Sequence, residues 1–413
     1  MGGQMIEEPR LLQLEGGLRL VYLYQRGAHA GIFGMSVSAG SGSDPDSGHG
    51  LAHLVEHTIF KGTNKRSPRH VINRMESIGG ELNAFTTKEE TTVYAIFPGR
   101  GAQRAVELIS DLAMHAKFPE KELEKEREVV IDEINSYLDS PSEAIFDELE
   151  DMVFVGTRLG HNILGNPESV RGLCGEDCRE FLRRNYTRKG SVLFYAGPQS
   201  ANVVAKLVEK YFAELREGEQ YEPAAVTGMK TGVYDERQLE NLHQAHVLTA
   251  FPAAGLSSEL RFSENLFANY IGGPGMNSVL NIELREKRGL VYTVDVSMAR
   301  FRESGMFNIY FGCDSDDVER CKDLCRRAVE DITDCPPIKL QRRLNGAIKQ
   351  YLGQLEVSLE NRENRISGAA RNVLFGGATV SLETIKEHIR NTTISDFREI
   401  AGRYSERSEL IMR

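Results

Sequence analysis

Three residues within five positions have the types and spacing to do chemistry together: His53, Glu56 and His57, in Leu51-Ala-His53-Leu-Val-Glu56-His57-Thr-Ile-Phe60. Histidines four residues apart share a helix face, and two imidazole nitrogens so placed can hold one zinc ion at about 2.0 to 2.1 Å. Glu56, one turn from His53, then lies beside the remaining coordination positions, where a carboxylate can act as a general base toward water. A catalytic zinc site also needs a third protein ligand and an open position. Further along, Glu126-Arg-Glu-Val-Val-Ile-Asp-Glu133 places two carboxylates seven residues apart (133 − 126 = 7), on one helix face. Acidic helices of this kind are commonly solvated surfaces, and a polar helix face with two ordinary histidines is the plain alternative for the first motif.

The elements around these residues follow from pattern. Asp44-Pro-Asp-Ser-Gly supplies a turn that feeds a helix over about 50–61, in which positions 51, 54, 55 and 59 form an apolar stripe and 53, 56, 57 and 60 fall on another. The spacing H-x-x-E-H is the reverse of the H-E-x-x-H peptidase helix. Strands are expected over Leu18–Leu23, Ile32–Ser38 and Thr91–Phe97, with helices near 69–78 and 102–114. Pro119 starts a long helix, since its missing N–H costs nothing in the first turn, and Pro141 bounds that helix. The second half repeats the theme: a strand near Val247–Phe251, a helix from about Glu259, and strands near Val291–Met298 and Met306–Phe311.

A chain of 413 residues exceeds one ordinary core and suits two domains of about 200. Residues 216–235 lack apolar period and carry Gly, Pro and charge, as linkers do. The halves also end alike: Asp177-Cys-Arg-Glu leads to Tyr186-Thr-Arg-Lys and an apolar strand at Val192–Tyr195, and Asp396-Phe-Arg-Glu leads to Tyr404-Ser-Glu-Arg and a strand at Leu410–Met412. A duplicated domain accounts for both features. The expectation is an α+β fold of two tandem homologous domains, 1–215 and 236–413 around the linker 216–235, each a mixed or antiparallel sheet packed with helices.

Composition narrows the function classes. With 50 basic and 60 acidic residues the net charge is −10, and no dense Lys/Arg block offers a phosphate footprint, so nucleic acid is not an expected partner. Neither an export signal nor an Arg-rich presequence opens the chain, and no run of about 18 apolar residues follows. No membrane partner and a cytoplasmic location are the expectations. The six cysteines, Cys174, Cys178, Cys313, Cys321, Cys325 and Cys335, lack the paired C-x-x-C spacing of structural zinc sites and read as reduced, structural thiols, although each close pair could join under oxidation.

The residues resemble the M16 family of inverted-motif zinc peptidases, which includes pitrilysin, insulin-degrading enzyme and the mitochondrial processing peptidase. The resemblance rests on Gly50-Leu-Ala-His53-Leu-Val-Glu56-His57-Thr-Ile-Phe-Lys-Gly-Thr63, on Gly79-Gly-Glu-Leu-Asn83-Ala84-Phe85-Thr86, and on Glu126-Arg-Glu-Val-Val-Ile-Asp-Glu133, and it spans the chain. In that family the third zinc ligand lies some 76 residues beyond the second histidine, and 133 − 57 = 76 implies Glu133. The resemblance implies one Zn2+ per chain on His53, His57 and Glu133, with Glu126 supporting the site by orienting a histidine ligand. It further implies that Asn83, Ala84, Phe85 and Thr86 form an edge strand that takes a peptide substrate as an added β-strand. In Leu284-Arg285-Glu-Lys-Arg-Gly-Leu-Val-Tyr292, Arg285 and Tyr292 match the family's substrate-contacting pair. Thr58 departs from the methionine common at its position, which removes no reacting group.

The activity so implied is a zinc metalloendopeptidase that hydrolyses unfolded peptides or presequences in a closed chamber. Some relatives divide the zinc motif and the Arg/Tyr pair between subunits. This chain keeps both, so a homodimer is the simpler assembly, with Arg285 and Tyr292 serving the partner protomer's zinc. The alternatives are a non-catalytic core or scaffold subunit and the active half of a heterodimeric processing peptidase.

Overall fold

The computed structural model describes residues 7–218, 225–226, 228–240 and 242–413; residues 219–224 and 227 of the expected linker lie outside this set. The chain forms two compact units, each built from separated stretches. The first comprises Met1–Asn135, His161–Ala224 and Asn361–Ser381, and the second comprises Ser136–Gly160, Ala225–Glu360 and Leu382–Arg413.

The first unit is built on a six-stranded sheet of β1 (Arg10–Gln13), β2 (Arg19–Tyr24), β3 (Ala30–Val37), β4 (Glu81–Thr86), β5 (Thr91–Pro98) and β6 (Ser191–Gly197), in the order β1-β2-β6-β3-β5-β4. Only the β2–β6 pair is parallel. Strand β4 closes the row and, among the described residues, pairs with β5 alone. Helices α1 (Leu51–Thr58), α2 (Pro68–Glu76), α3 (Ala102–His115), α4 (Glu120–Leu138), α5 (Pro141–Val153), α6 (Pro167–Gly172), α7 (Gly175–Asn185) and α8 (Ala201–Tyr211) complete the first half of the chain.

Side chains alternate across this sheet with the period of two that a pleated strand imposes. Leu20, Tyr22, Phe33, Met35, Leu193 and Tyr195 join a core with α1, α3, α7 and α8. Their neighbours Val21, Leu23, Ile32, Val192, Phe194 and Ala196 point to the other face. That face is covered by Ile366, Ala369, Ala370 and Val373 of a helix from the far half of the sequence, Arg362–Gly376.

In the second unit β7 (Tyr234–Arg237), β8 (Ala245–Ala254), β9 (Val291–Arg300), β10 (Ser304–Cys313) and β11 (Ser408–Met412) pair in the order β7-β11-β8-β10-β9. The first pair is parallel and the other three antiparallel. The run β2-β6-β3-β5-β4 of the first unit has the same sequence of orientations, so the matching endings of the two halves reflect two copies of one domain. The remaining helices are α9 (Leu260–Gly272), α10 (Val318–Asp334), α11 (Pro337–Ser358), α12 (Arg362–Gly376), α13 (Leu382–Asn391) and α14 (Ile394–Gly402). Helix α5 packs Ile145, Leu149 and Val153 against Leu248, Met306 and Leu410 of the second sheet. Each unit therefore takes one covering helix from the other half of the sequence. Asn281–Glu286, whose last three residues open the Arg/Tyr segment and for which no element was expected, forms a π-helical turn.

Candidate metal centre

Helix α1 is fixed at its start by a side chain well before it. Asp44 accepts hydrogen bonds from the backbone N–H groups of Gly50 (2.8 Å) and Ala52 (2.9 Å), which have no partner within the helix. Burial pushes the Asp44 carboxyl up to about 7, against the lowering effect of these backbone donors. Gly50 adopts φ 93°, and a Cβ there would lie 2.6 Å from the Leu164 carbonyl oxygen, so both conformation and space require glycine. Leu51, Leu54, Val55 and Ile59 are buried in the core of the first unit. The helix is thereby held in rotation, with His53, Glu56 and His57 turned toward β4 and α4.

The two imidazoles meet edge to face, with ring centroids 4.6 Å apart. Glu133 of α4 reaches both: its Oε2 lies 3.4 Å from His57 Nε2 and 3.9 Å from His53 Nε2. Among the described residues these three form the one group with metal-ligating atoms mutually within 4.8 Å. Ligands about 2.0 to 2.2 Å from a tetrahedral ion stand roughly 3.4 Å apart, so the donor spacing fits zinc. His53 is buried, and burial together with the neighbouring His57 brings its pKa down to about 3, which keeps the ring neutral, the form a metal requires. The buried His53 Nδ1 has no hydrogen-bond partner among the described residues.

Glu126 stands on the other edge of His57, with Oε2 3.5 Å from Nδ1. Its second oxygen is held by Lys61 Nζ at 2.6 Å. This ion pair holds Glu126 beside His57 Nδ1, and Nε2 faces Glu133. Lys61 lies in the quoted motif, four residues beyond His57, yet its chemistry was not read from the sequence; the i, i+4 spacing from a ligand was the available signal. Burial raises the Glu56 carboxyl above the usual range, partly offset by the Thr86 hydroxyl and by His57. Tyr186 is fully buried, its hydroxyl unpaired among the described residues, and burial and then the Glu56 charge raise its pKa.

Asn83, Ala84, Phe85 and Thr86 all lie on the edge strand β4. The β4–β5 turn is fastened close to α1: Ser41 N–H and Gly42 N–H donate to the carbonyls of Thr87 and Lys88, and a Cβ at Gly40 would sit 1.9 Å from the Thr87 oxygen. Arg285 and Tyr292 belong to the second unit, Arg285 in the π-helical turn and Tyr292 on β9, an edge strand. Tyr292 is 82% exposed. All six cysteines are free thiols, and only Cys174 is exposed.

The family model described as insulinase, peptidase family M16, matches residues 19–167, and that of the peptidase M16 inactive domain matches residues 175–340. An uncharacterized zinc protease of Mycobacterium bovis is 30% identical over 400 residues, covering 95% of this chain and 90% of its own. The chain belongs to peptidase family M16. A further M16-like relative, named "Probable mitochondrial-processing peptidase subunit beta, mitochondrial", from Arabidopsis thaliana, is 26% identical over 96% of this chain and 76% of its own. The crystal structure of a protease from Helicobacter pylori superposes with a TM-score of 0.88 over 98% of this chain and all of that one, at 17% identity, and shares the fold. The two-domain M16 architecture expected from the duplicated ending is thus the architecture of this chain.

Proposed function

We propose that this M16 chain is a zinc endopeptidase that cleaves unstructured peptide segments. The observation that carries the reading is the convergence of His53, His57 and Glu133 around one point, with Glu56 beside them on the same helix face. His53, His57 and Glu133 would hold the ion. When bound, zinc supplies Lewis acidity, which polarises a peptide carbonyl and lowers the pKa of water.

The remaining work falls to the chain's own groups. Glu56 takes the proton of the attacking water and returns it to the departing amine, a base then an acid in one cycle. Its raised pKa suits both halves of that task. Glu126, clamped by Lys61, orients the His57 ring. Strand β4 binds the peptide by main-chain hydrogen bonding along its open edge, which gives affinity with little demand on sequence and disfavours folded proteins, whose backbones are already paired.

Arg285 and Tyr292 contact substrate, and Tyr292 donates to the oxyanion. The assembly is a homodimer in which this pair serves the other protomer's centre. The exposure of Tyr292 and the presence of both motifs on one chain support that arrangement. Among the described residues no helix is long and apolar enough to cross a membrane.

The test joins metal analysis to cleavage of a quenched-fluorescent unstructured peptide. Zinc near one per chain, activity lost on chelation and restored by zinc, and a metal-bound but inactive Glu56→Gln are expected. A zinc-loaded wild type that cleaves nothing in a diverse peptide pool overturns the reading in favour of a scaffold subunit. Cleavage that begins only when a second polypeptide is added points to the heterodimer.

A further inference from the structure

The segment that carries Arg285 also walls a cleft of about 480 Å³ in the second unit, which the proposed peptidase mechanism does not use. The size is that of a small-molecule site, which typically spans roughly 300 to 1,000 Å³. Its apolar lining comes from three elements: Val279 and Ile282 around the π-helical turn, Tyr270 of α9, and Leu324 and Ile332 of α10.

The charges on the same wall are unbalanced. Lys287, Arg288, Arg327 and Arg343 line it against Glu283 and Asp331, four cations to two carboxylates. Glu283 is divided between Lys287 (2.5 Å) and Arg288 (2.6 Å), one oxygen each. Asp331 pairs with Arg343, and Arg327 draws on Asp323, which is shared in turn with Arg326. An incoming anion therefore meets Arg288, whose partner Glu283 is shared with Lys287, and Arg343, which pairs with Asp331 through one nitrogen, and guanidinium binds carboxylate in a fixed two-donor geometry. A smaller cleft of about 250 Å³ shares the Tyr270 and Arg343 wall and is lined by Ser278, whose buried hydroxyl has no partner among the described residues. Arg343 thus lies between an apolar cleft with surplus positive charge and an unused donor.

We propose that this cleft binds a small amphipathic organic acid, its apolar body against Ile282, Leu324 and Ile332 and its carboxylate toward Arg343 and Arg288. An occupant would rest on Ile282 and Glu283, within the turn that presents Arg285. The proposal concerns binding and does not depend on the chain's being a peptidase.

Calorimetric titration of the full-length protein with octanoate and with 1-octanol tests it. Octanoate is expected to saturate a single site and to bind about ten-fold more tightly than the alcohol, as one charge-assisted contact warrants. Arg343→Gln should weaken octanoate by a similar factor, and Asp331→Asn, which removes a competing carboxylate, should tighten it. A misfolded variant cannot produce that gain. Equal affinity for acid and alcohol, indifference to both substitutions, or no saturable octanoate binding up to its solubility overturns the proposal.

Discussion

At His57 two carboxylates address opposite edges of one ring, Glu126 at Nδ1 (3.5 Å) and Glu133 at Nε2 (3.4 Å), and their roles differ because only one of them is clamped. Lys61 pairs with the other oxygen of Glu126 at 2.6 Å, which fixes that carboxylate beside the Nδ1 edge while Nε2 faces Glu133. Such supporting partners typically change metal affinity by about 10- to 100-fold. Glu126→Gln is therefore expected to weaken zinc by a factor in that range and to leave the fold intact, measured by competition with a calibrated chelator. His57→Ala and Glu133→Ala remove donors and should abolish stoichiometric zinc; retention of one zinc per chain in either would remove that residue from the ligand set. On the proposed reading, in which Glu56 is the proton acceptor and not a ligand, Glu56→Gln should keep zinc and lose turnover. His53, Glu56 and His57 were legible in the sequence because one turn of helix brings them together. Glu133 was not, because its place depends on the packing of α4 against α1, and only the family spacing pointed to it.

At the scale of the element, the Asp44 cap controls α1. Its carboxylate satisfies two N–H groups at the helix start but is buried, and burial raises it to about 7 from an ordinary value near 4. A pKa raised on folding means that the folded state holds the proton more tightly. The contribution of this group is then fully present below about pH 4 and is lost as pH rises through about 7. Asp44→Asn cannot titrate, so the melting temperature of the metal-free wild type relative to this variant should fall between pH 5 and pH 8. A constant difference across that range would mean that Asp44 does not change its charge there. Asp44→Ala leaves both donors without an acceptor and should cost about 1 to 2 kcal/mol, read by denaturant unfolding of the metal-free protein. The helix itself was readable from its apolar stripe. Strand β4 was not readable from pattern, because an edge strand with one open side and mixed exposure lacks clean alternation; the family resemblance identified it.

For the molecule as a whole, the linker and the two matching endings revealed the duplication, but no local signal revealed that the first sheet takes its outer cover from residues 362–376. Helix α12 has an ordinary amphipathic pattern that names no partner, and the partner lies more than a hundred residues away in the sequence. The consequence is physical. Val21, Leu23, Ile32, Val192 and Phe194 form an apolar sheet face that is buried only when Ile366, Ala369, Ala370 and Val373 cover it. Burying each large side chain contributes about 1.5 to 3 kcal/mol, so a fragment ending at residue 215 loses several such contributions while retaining His53, His57 and Glu133. It is expected to aggregate or to bind a hydrophobic dye, and to take up zinc poorly. Joining residues 361–381 to that fragment through a flexible linker should restore a cooperative melt and zinc uptake. In the intact chain, Ile366→Ala should destabilise by about 2 to 5 kcal/mol without altering the intrinsic zinc affinity of the folded fraction. If the short fragment proved monomeric, cooperative and zinc-competent by itself, α12 would be an accessory to the first unit and its outer face would tolerate water.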